Sequence, residues 1–444
     1  MANTLLISFI NLKRKVLKLN EIFYDMKEVI SDKELFLGRE ELKYLKESAE
    51  KALIALKKEI KKQKIDADVF IGGSFAKGTI MKGKDYDIDI FVRFSQKHEN
   101  ISGLLERIMK EVGKKVNKKL NKVHGSRDYF QILWDKKTTF EIIPVNRIKK
   151  PSEEKNVTDL SYFHVGYVKK RFKDERLQRE LFLAKKFCKA NGFYGAESYI
   201  GGFSGYALEC LILYYKSFER MLKELIKIDK EALVIDSEKQ CKTKRSVFIE
   251  LNESKTQGPI ILIDPTWKER NALAALSWDT LRRFQKIAKE YLKTKSTRYF
   301  ETREKTDFSG IKNAEIVKIK LETDRQKGDI AGTKLKKFYL LFKSRLERYF
   351  DVVGDEFGYG LGQEALAVYA LRKKKEVIKE GPPLEIEEAC KAFIEINKDN
   401  VFEKKGKLYA HVKIEDKGKD WIKKWISGNK NVISQMGITE IKVC

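Results

Sequence analysis

The stretch GGSFAKGTIMKGKDYDIDIF, residues 72–91, sets two glycines and a serine at the end of one apolar run and three aspartates at alternate positions opening the next. DVFI before the glycines reads as a strand, and Asp85, Asp87 and Asp89 alternate with Tyr86, Ile88 and Ile90, which is strand periodicity. Successive strand side chains point to opposite faces, so the three carboxylates are expected on one face and the apolar residues on the other. Like charges so close repel unless something cationic sits among them. FEIIPV adds another carboxylate, Glu141, on a strand that could pair beside the first. Two aspartates one residue apart plus Glu141 are hard oxygen donors of the kind magnesium (Mg2+) takes while sharing its shell with water and substrate phosphates. Two such ions lower the pKa of an attacking hydroxyl and neutralise a leaving pyrophosphate, which is phosphoryl-transfer chemistry. The glycine turn suits it: Gly72 and Gly73 let backbone approach a phosphate, Ser74 offers a hydroxyl, and the helix expected next presents free N–H groups. Taken singly, a glycine pair after a strand is commonly a turn and alternating aspartates commonly mark a solvated face; the combination and spacing are far more specific.

The whole chain is consistent with that chemistry. Its 444 residues, 42% hydrophobic and 11% aromatic, suffice for two or three domains with real cores. Ninety-two Lys and Arg against sixty-five Asp and Glu leave a formal charge of +27, which points to a polyanionic partner, nucleic acid before an acidic membrane surface. The plain alternative is a lysine-rich solvated surface. Five scattered cysteines without a CxxC pair and four histidines indicate neither a disulfide framework nor a zinc site, and a cytoplasmic protein is expected. No apolar run reaches bilayer length, and ALECLILYY has the size of a buried helix. MANTLLISFINLKRKVLKLN carries its charges after its apolar stretch and reads as an amphipathic helix rather than a signal peptide.

Helical pattern fills residues 1 to about 65, with Leu42, Leu45, Ala49, Ala52 and Leu56 recurring at steps of three and four. Strands follow at DVFIGG, YDIDIFVRF, YFQILW and TTFEIIPV, the last two separated by a DKK turn. From about 150 the pattern is helical again, ELFLAKKFCKA being stopped by Asn191-Gly192, and later strand-like runs include AEIVKIKL and KLYAHVKI. Boundaries are expected near 150 and 285, giving segments 1–150, 151–285 and 286–444.

GGS, then Asp87 and Asp89, then Glu141 on a later strand resemble the DNA polymerase beta-like nucleotidyltransferase superfamily, which uses the aspartate pair just before Ile90-Phe91 and leaves Asp85 at the start of the strand, solvated or tuning the pair. KANGFYGAESYIGGFSGYALECLILYYKSF (189–218), IDPTWKERNALAALSWDTLRRF (263–284) and LSYFHVGYV around His164 resemble archaeal-type (class I) CCA-adding enzymes, the tRNA nucleotidyltransferases that build the 3′ CCA end without a nucleic-acid template. GPPLEIEEACKAFIEINKDNVFEKKGKLYAHV resembles the tail of that family more loosely. The resemblance implies an α+β protein: a polymerase beta-like nucleotidyltransferase head with a mixed sheet and helices, a helical central domain, and an α+β C-terminal body and tail. It implies addition of C, C and A to tRNA from CTP and ATP with two magnesium ions and release of pyrophosphate, in one pocket that the growing RNA end reshapes. On it, Asp87, Asp89 and Glu141 hold metal, Ser74 and Lys77 contact the triphosphate beside Gly73, His164, Lys185 and Tyr194 help bind the nucleotide, and Arg270 reads the base. A homodimer is expected from the resemblance alone. Two positions depart from the family: Glu141 stands where aspartate is usual and Lys77 where arginine is common. The extra methylene adds about 1.5 Å of reach, and lysine keeps the charge but loses the bidentate fork.

Read without the resemblance, these residues have ordinary roles open to them. Lys185 and Lys189, four apart on one helical face, could meet phosphates or simply be solvated. His164 could be a packing histidine, Tyr194 a core aromatic, and Arg270 an ion-pair partner of Glu269 or Asp264. As a base reader Arg270 has a physical logic, because a guanidinium only donates: cytosine N3 and adenine N1 accept, whereas uracil N3 and guanine N1 carry hydrogens. TKLKKFYLLFKSRLERYF, residues 333–350, is a candidate tRNA-binding helix through Lys336, Lys343 and Arg345, with its apolar stripe in a core. The rival functions are another template-free RNA nucleotidyltransferase adding oligoadenylate or poly(A), and a non-catalytic tRNA-binding homologue. A small-molecule nucleotidylating enzyme suits neither the length nor the charge.

Overall fold

The computed structural model describes residues 30–302, 308, 310–413 and 416–444, so the expected N-terminal amphipathic helix lies outside the described residues. Two compact units divide between Arg303 and Glu304.

In the first unit, helix α1 (Arg39–Lys62) leads into strand β1 (Ala67–Ile71), a one-turn helix α2 (Gly73–Lys77) and strand β2 (Tyr86–Phe94). Helix α3 (Ile101–Val116) then crosses to β3 (Lys119–Val123), β4 (Tyr129–Leu133) and β5 (Thr138–Asn146). The five strands form one sheet in the order β1-β2-β5-β4-β3, in which only β2 and β5 run parallel. A parallel pair needs a long crossover, and α3 with the β3–β4 hairpin supplies it. Tyr86, Ile88, Ile90, Val92 and Phe94 alternate along β2 and are buried, with Phe140 and Ile142 of β5, beneath Leu45, Ala49, Ala52 and Leu56 of α1 and Leu105, Ile108 and Met109 of α3. Fully burying one such side chain contributes about 1.5–3 kcal/mol, and this one-sided burial fixes which way the aspartates face. Asp85 is a correction to the simple alternation: it stands in the bend before β2, exposed, so two aspartates and not three belong to the strand. Strand β3, KLNKV, was not anticipated, since a short polar edge strand carries little alternation.

After the sheet come α4 (Ser161–Arg171), α5 (Glu175–Ala190), α6 (Gly205–Tyr215) and α7 (Phe218–Leu225). A small sheet of β6 (Leu233–Ile235), β7 (Ile260–Asp264) and β8 (Trp267–Asn271) follows, then α8 (Trp278–Thr294). Helix α5 ends at Asn191 with Gly192 at φ +70°, the left-handed stop its sequence suggests. Helix α6 is the apolar run, buried along most of its length in an aromatic-rich core with Phe187, Phe218, Phe284 and Tyr291. The expected boundary near 285 falls inside α8, and the compact unit continues through Arg303.

The second unit holds a four-stranded sheet, with β9 (Glu315–Glu322) central, packed under helix α9 (Asp329–Tyr349), and a separate three-stranded sheet containing Lys407–Val412. Of the lysines considered for RNA on α9, Lys343 is 2.9 Å from Asp355 Oδ1 and Lys336 lies 4.6 Å from the centre of the Tyr339 ring, so both are engaged within the unit. Arg345 is half-buried on the same helix. No helix among the described residues is long and apolar enough to cross a membrane.

Ile88 is fully buried at the centre of β2. Ile88→Ala is expected to lower unfolding free energy by about 2–5 kcal/mol in chemical denaturation; a loss below about 1 kcal/mol would mean that this face is not the packed one.

Candidate active site

The face of the sheet opposite α1 and α3 carries the carboxylates. Parallel register sets Asp89 directly beside Glu141 and Asp87 beside Thr139. Glu141 accepts a hydrogen bond at 2.9 Å from Gln131 Nε2 on the neighbouring strand. The glycine turn closes over them: Gly72 N–H donates to the Asp89 carbonyl at 2.8 Å, extending the β1–β2 ladder by one residue. Gly73 has φ +55°, and a Cβ there would lie 1.6 Å from Asp89 Oδ2. Glycine is required on both counts, which places the turn's backbone against the carboxylate.

Crowding changes the chemistry of the acids. Desolvation, then the Glu141 charge, push the Asp89 carboxyl from 3.8 up to about 7. Glu141 is raised by burial and by Asp87, and Asp87 by burial and by Asp85. The charges of Lys77 on Asp89 and of Lys189 on Asp87 offset these rises only in part. The donors of the trio, all carboxylate oxygens, fit a hard divalent ion such as magnesium. Their present rotamers do not converge: among the described residues no three His, Cys, Asp or Glu side chains are grouped so as to hold a metal ion, and Glu141 is turned onto Gln131.

Two buried carboxylates hold the nominated basic residues: Glu209, which the sequence reading did not single out, and Asp264, which it named only as an ion-pair partner open to Arg270. Glu209, on α6, accepts from Lys77 Nζ at 2.8 Å and from Thr79 Oγ1 at 2.6 Å, and Lys185 Nζ is 3.5 Å from its other contact oxygen, Oε1, while donating to the Thr79 carbonyl at 2.9 Å. Asp264, at the end of β7, is 2.7 Å from Arg270 Nη1 and 3.0 Å from His164 Nε2, and accepts from Tyr206 Oη at 2.8 Å. Burial alone would raise Asp264; the His164 hydrogen bond and the charges of His164 and Arg270 outweigh it and hold it below the usual carboxylate range. Burial lowers His164. Its ring stacks on Tyr206 with centroids 3.9 Å apart. Tyr206 stands three residues before Glu209 on α6, with Lys77 Nζ 5.1 Å and Arg270 Cζ 5.7 Å from its ring centre, so one helix face serves both networks.

The nominated residues are therefore distributed as follows. Asp87, Asp89, Glu141, Gly73 and Ser74 lie together on this sheet face and its turn. Lys77 and Lys185 are buried on Glu209, and α2, the helix that follows the glycines, is five residues long. His164 and Arg270 share Asp264, so the ion-pair alternative for Arg270 is realised, in a partly buried setting and with Asp264 rather than Glu269. Tyr194 packs at the edge of the aromatic core, with Lys189 Nζ 5.0 Å from its ring centre. Lys189 itself is exposed and within electrostatic reach of Asp87. Glu209 had a readable signal, since a lone carboxylate inside GYALECLILYY demands a buried cationic partner.

In EDTA, a raised carboxyl keeps its proton in the folded state at pH values where the unfolded chain has released it. Asp89 therefore stabilises the fold fully only below pH 3.8, and that contribution is lost as pH rises through about 7. Asp89→Asn, with no proton to lose, is expected to melt higher than the parent near neutral to alkaline pH, with a smaller advantage in mild acid. The two advantages should differ by about 2 kcal/mol. Equal advantages in thermal melts at both pH values would contradict the crowding.

Comparison with known proteins adds to this geometry. Residues 53–160 match the nucleotidyltransferase domain family and residues 179–301 the second domain of tRNA nucleotidyltransferase. The CCA-adding enzyme of Nanoarchaeum equitans is 38% identical over 304 residues, 68% of this chain and 73% of that protein. That of Saccharolobus islandicus is 28% identical over 369 residues, 82% of this chain and 84% of that one. A solved structure of Cid1, described by its RNA terminal uridylyl transferase activity, aligns with TM-score 0.49 at 13% identity over 65% of this chain and 99% of its own. With a nucleotidyltransferase head, the second domain of a tRNA nucleotidyltransferase and archaeal relatives at this identity, the chain is an enzyme of the CCA-adding family of tRNA nucleotidyltransferases.

Proposed function

We propose that this protein adds C, C and A in turn to the 3′ end of tRNA, taking CTP and ATP and releasing pyrophosphate. The observation that carries the chemistry is the parallel pairing of β2 with β5, which sets Asp89 beside Glu141, with Asp87 two residues away and the glycine turn closed against Asp89. The substrate class follows from the relatives' name and from the two matched regions, which contain the carboxylates and the Lys185, Tyr194 and Arg270 segment respectively.

Asp87, Asp89 and Glu141 are the residues that would hold magnesium, which when bound supplies positive charge for the leaving pyrophosphate and a lower pKa for the attacking RNA hydroxyl. The chain's own groups do the rest. Gly73 and Ser74 bring backbone N–H groups and a hydroxyl to the phosphates, with the charge of Lys77 behind them. Arg270, steadied by Asp264, offers donors that match cytosine N3 and adenine N1 and oppose uracil N3 and guanine N1. The net charge of +27 favours the tRNA backbone, which a protein reads mostly by shape.

The test is incorporation of labelled CTP or ATP, with magnesium, into tRNA ending before CCA, after C and after CC. C is expected to enter the first two and A only the third. Runs of A on every primer would indicate an oligoadenylate or poly(A) activity, and a gel shift without incorporation a binding protein. Asp89→Ala should lose incorporation by on the order of 100-fold or more with tRNA binding retained; normal polymerisation by that variant would remove the metal assignment.

A further inference from the structure

The buried charge around Glu209 is not neutral. Glu209 is 1% exposed, Lys185 3%, Lys77 9% and Thr79 0%, so two ammonium groups and one carboxylate share an interior position. A tie between a turn and a helix needs one cation for one anion, and excess charge in such a place is disfavoured unless something compensates it. Within this cluster the second ammonium is in surplus, next to the turn that carries Gly73 and Ser74, and outside it the Lys77 charge reaches Asp89 without cancelling that carboxyl's upward shift. Burial draws Lys185 down to about 8, with Glu209 opposing that fall. Glu209 itself is held low by Lys77 and Lys185 against the effect of burial. Both lysines reach it from different elements: Lys77 from the end of α2, Lys185 from α5. Thr79 completes the frame, its hydroxyl on Glu209 and its carbonyl on Lys185.

We propose that Glu209 is a positioning residue for the nucleotide triphosphate: it holds the Lys77 and Lys185 ammonium groups in place and leaves one positive charge that it does not itself balance for the phosphates to meet. The proposal rests on the reading of the site as a nucleotide-binding one. The surplus charge lies on the phosphate side and not on the Asp264–Arg270 side, so its effect is the same whichever base arrives.

The test combines direct CTP and ATP binding in the presence of magnesium, steady-state kinetics, and tRNA affinity, on the full chain. Glu209→Gln keeps the shape and removes the charge; it is expected to weaken CTP and ATP alike by roughly tenfold or more, in both Kd and KM, with a smaller change in kcat and unaltered tRNA affinity. Should that variant fail to fold, Thr79→Val loosens Glu209 without touching a charge and should weaken both nucleotides by roughly threefold. A merely structural tie would lower the melting temperature and leave nucleotide affinity of the folded variant unchanged, and that result overturns the proposal, as does a loss confined to one nucleotide. If the parent protein binds CTP but adds no C or A to tRNA, the reading of the function fails while the effect on CTP binding still decides the role of Glu209.

Discussion

Repulsion between Asp89 and Glu141 is the constraint on which the site depends. Two carboxylates in adjacent register on parallel strands, with Asp87 close by, can remain only because the opposite face of the same strands is buried beneath two helices. The packing is stable enough to impose an unfavourable arrangement on the other side. Burial first, and the Glu141 charge second, push Asp89 up to about 7 against the pull of Lys77. A divalent cation relieves that repulsion, which is why the unfavourable arrangement is also the useful one.

The basic residues around it are organised by the reverse device. Lys77 with Lys185, and Arg270 with His164, are each fixed by a buried carboxylate, Glu209 or Asp264, and Tyr206 lies against both networks. Anchoring cations in this way lowers the ordering cost when an anionic ligand arrives, since little side-chain freedom is left to lose. It also links the sheet unit's glycine turn to helices α5 and α6, so the phosphate-facing and base-facing groups are referred to one rigid helix face.

The sheet and its acids were legible because a strand buried on one face must alternate, and Ile88, Ile90 and Val92 leave no freedom about where Asp87 and Asp89 point. Asp85 continued the alternation on paper but stands outside the ladder, where periodicity alone cannot see the strand's first hydrogen bond. The edge strand Lys119–Val123 was missed because its polar residues carry no pattern. Lys77 and Lys185 were found as residue types but not in their setting, whereas the pairing of Arg270 with Asp264 was one of the alternatives its sequence offered. The partner of Lys77 comes from more than a hundred residues away, and Glu209 was passed over within a run read for its apolar neighbours. Lys343 on α9 was considered for RNA and is instead paired to Asp355, a partner on a strand that the sequence pattern did not reveal.

The most direct measurement is a crystal structure of the protein with CTP and magnesium. The account predicts Glu141 released from Gln131 and density for an ion bonded to oxygens of Asp87 and Asp89, with the triphosphate over the Gly73–Ser74 turn on the Lys77 side. A bound nucleotide lying elsewhere, or the three carboxylates still apart with no ion among them, would contradict it.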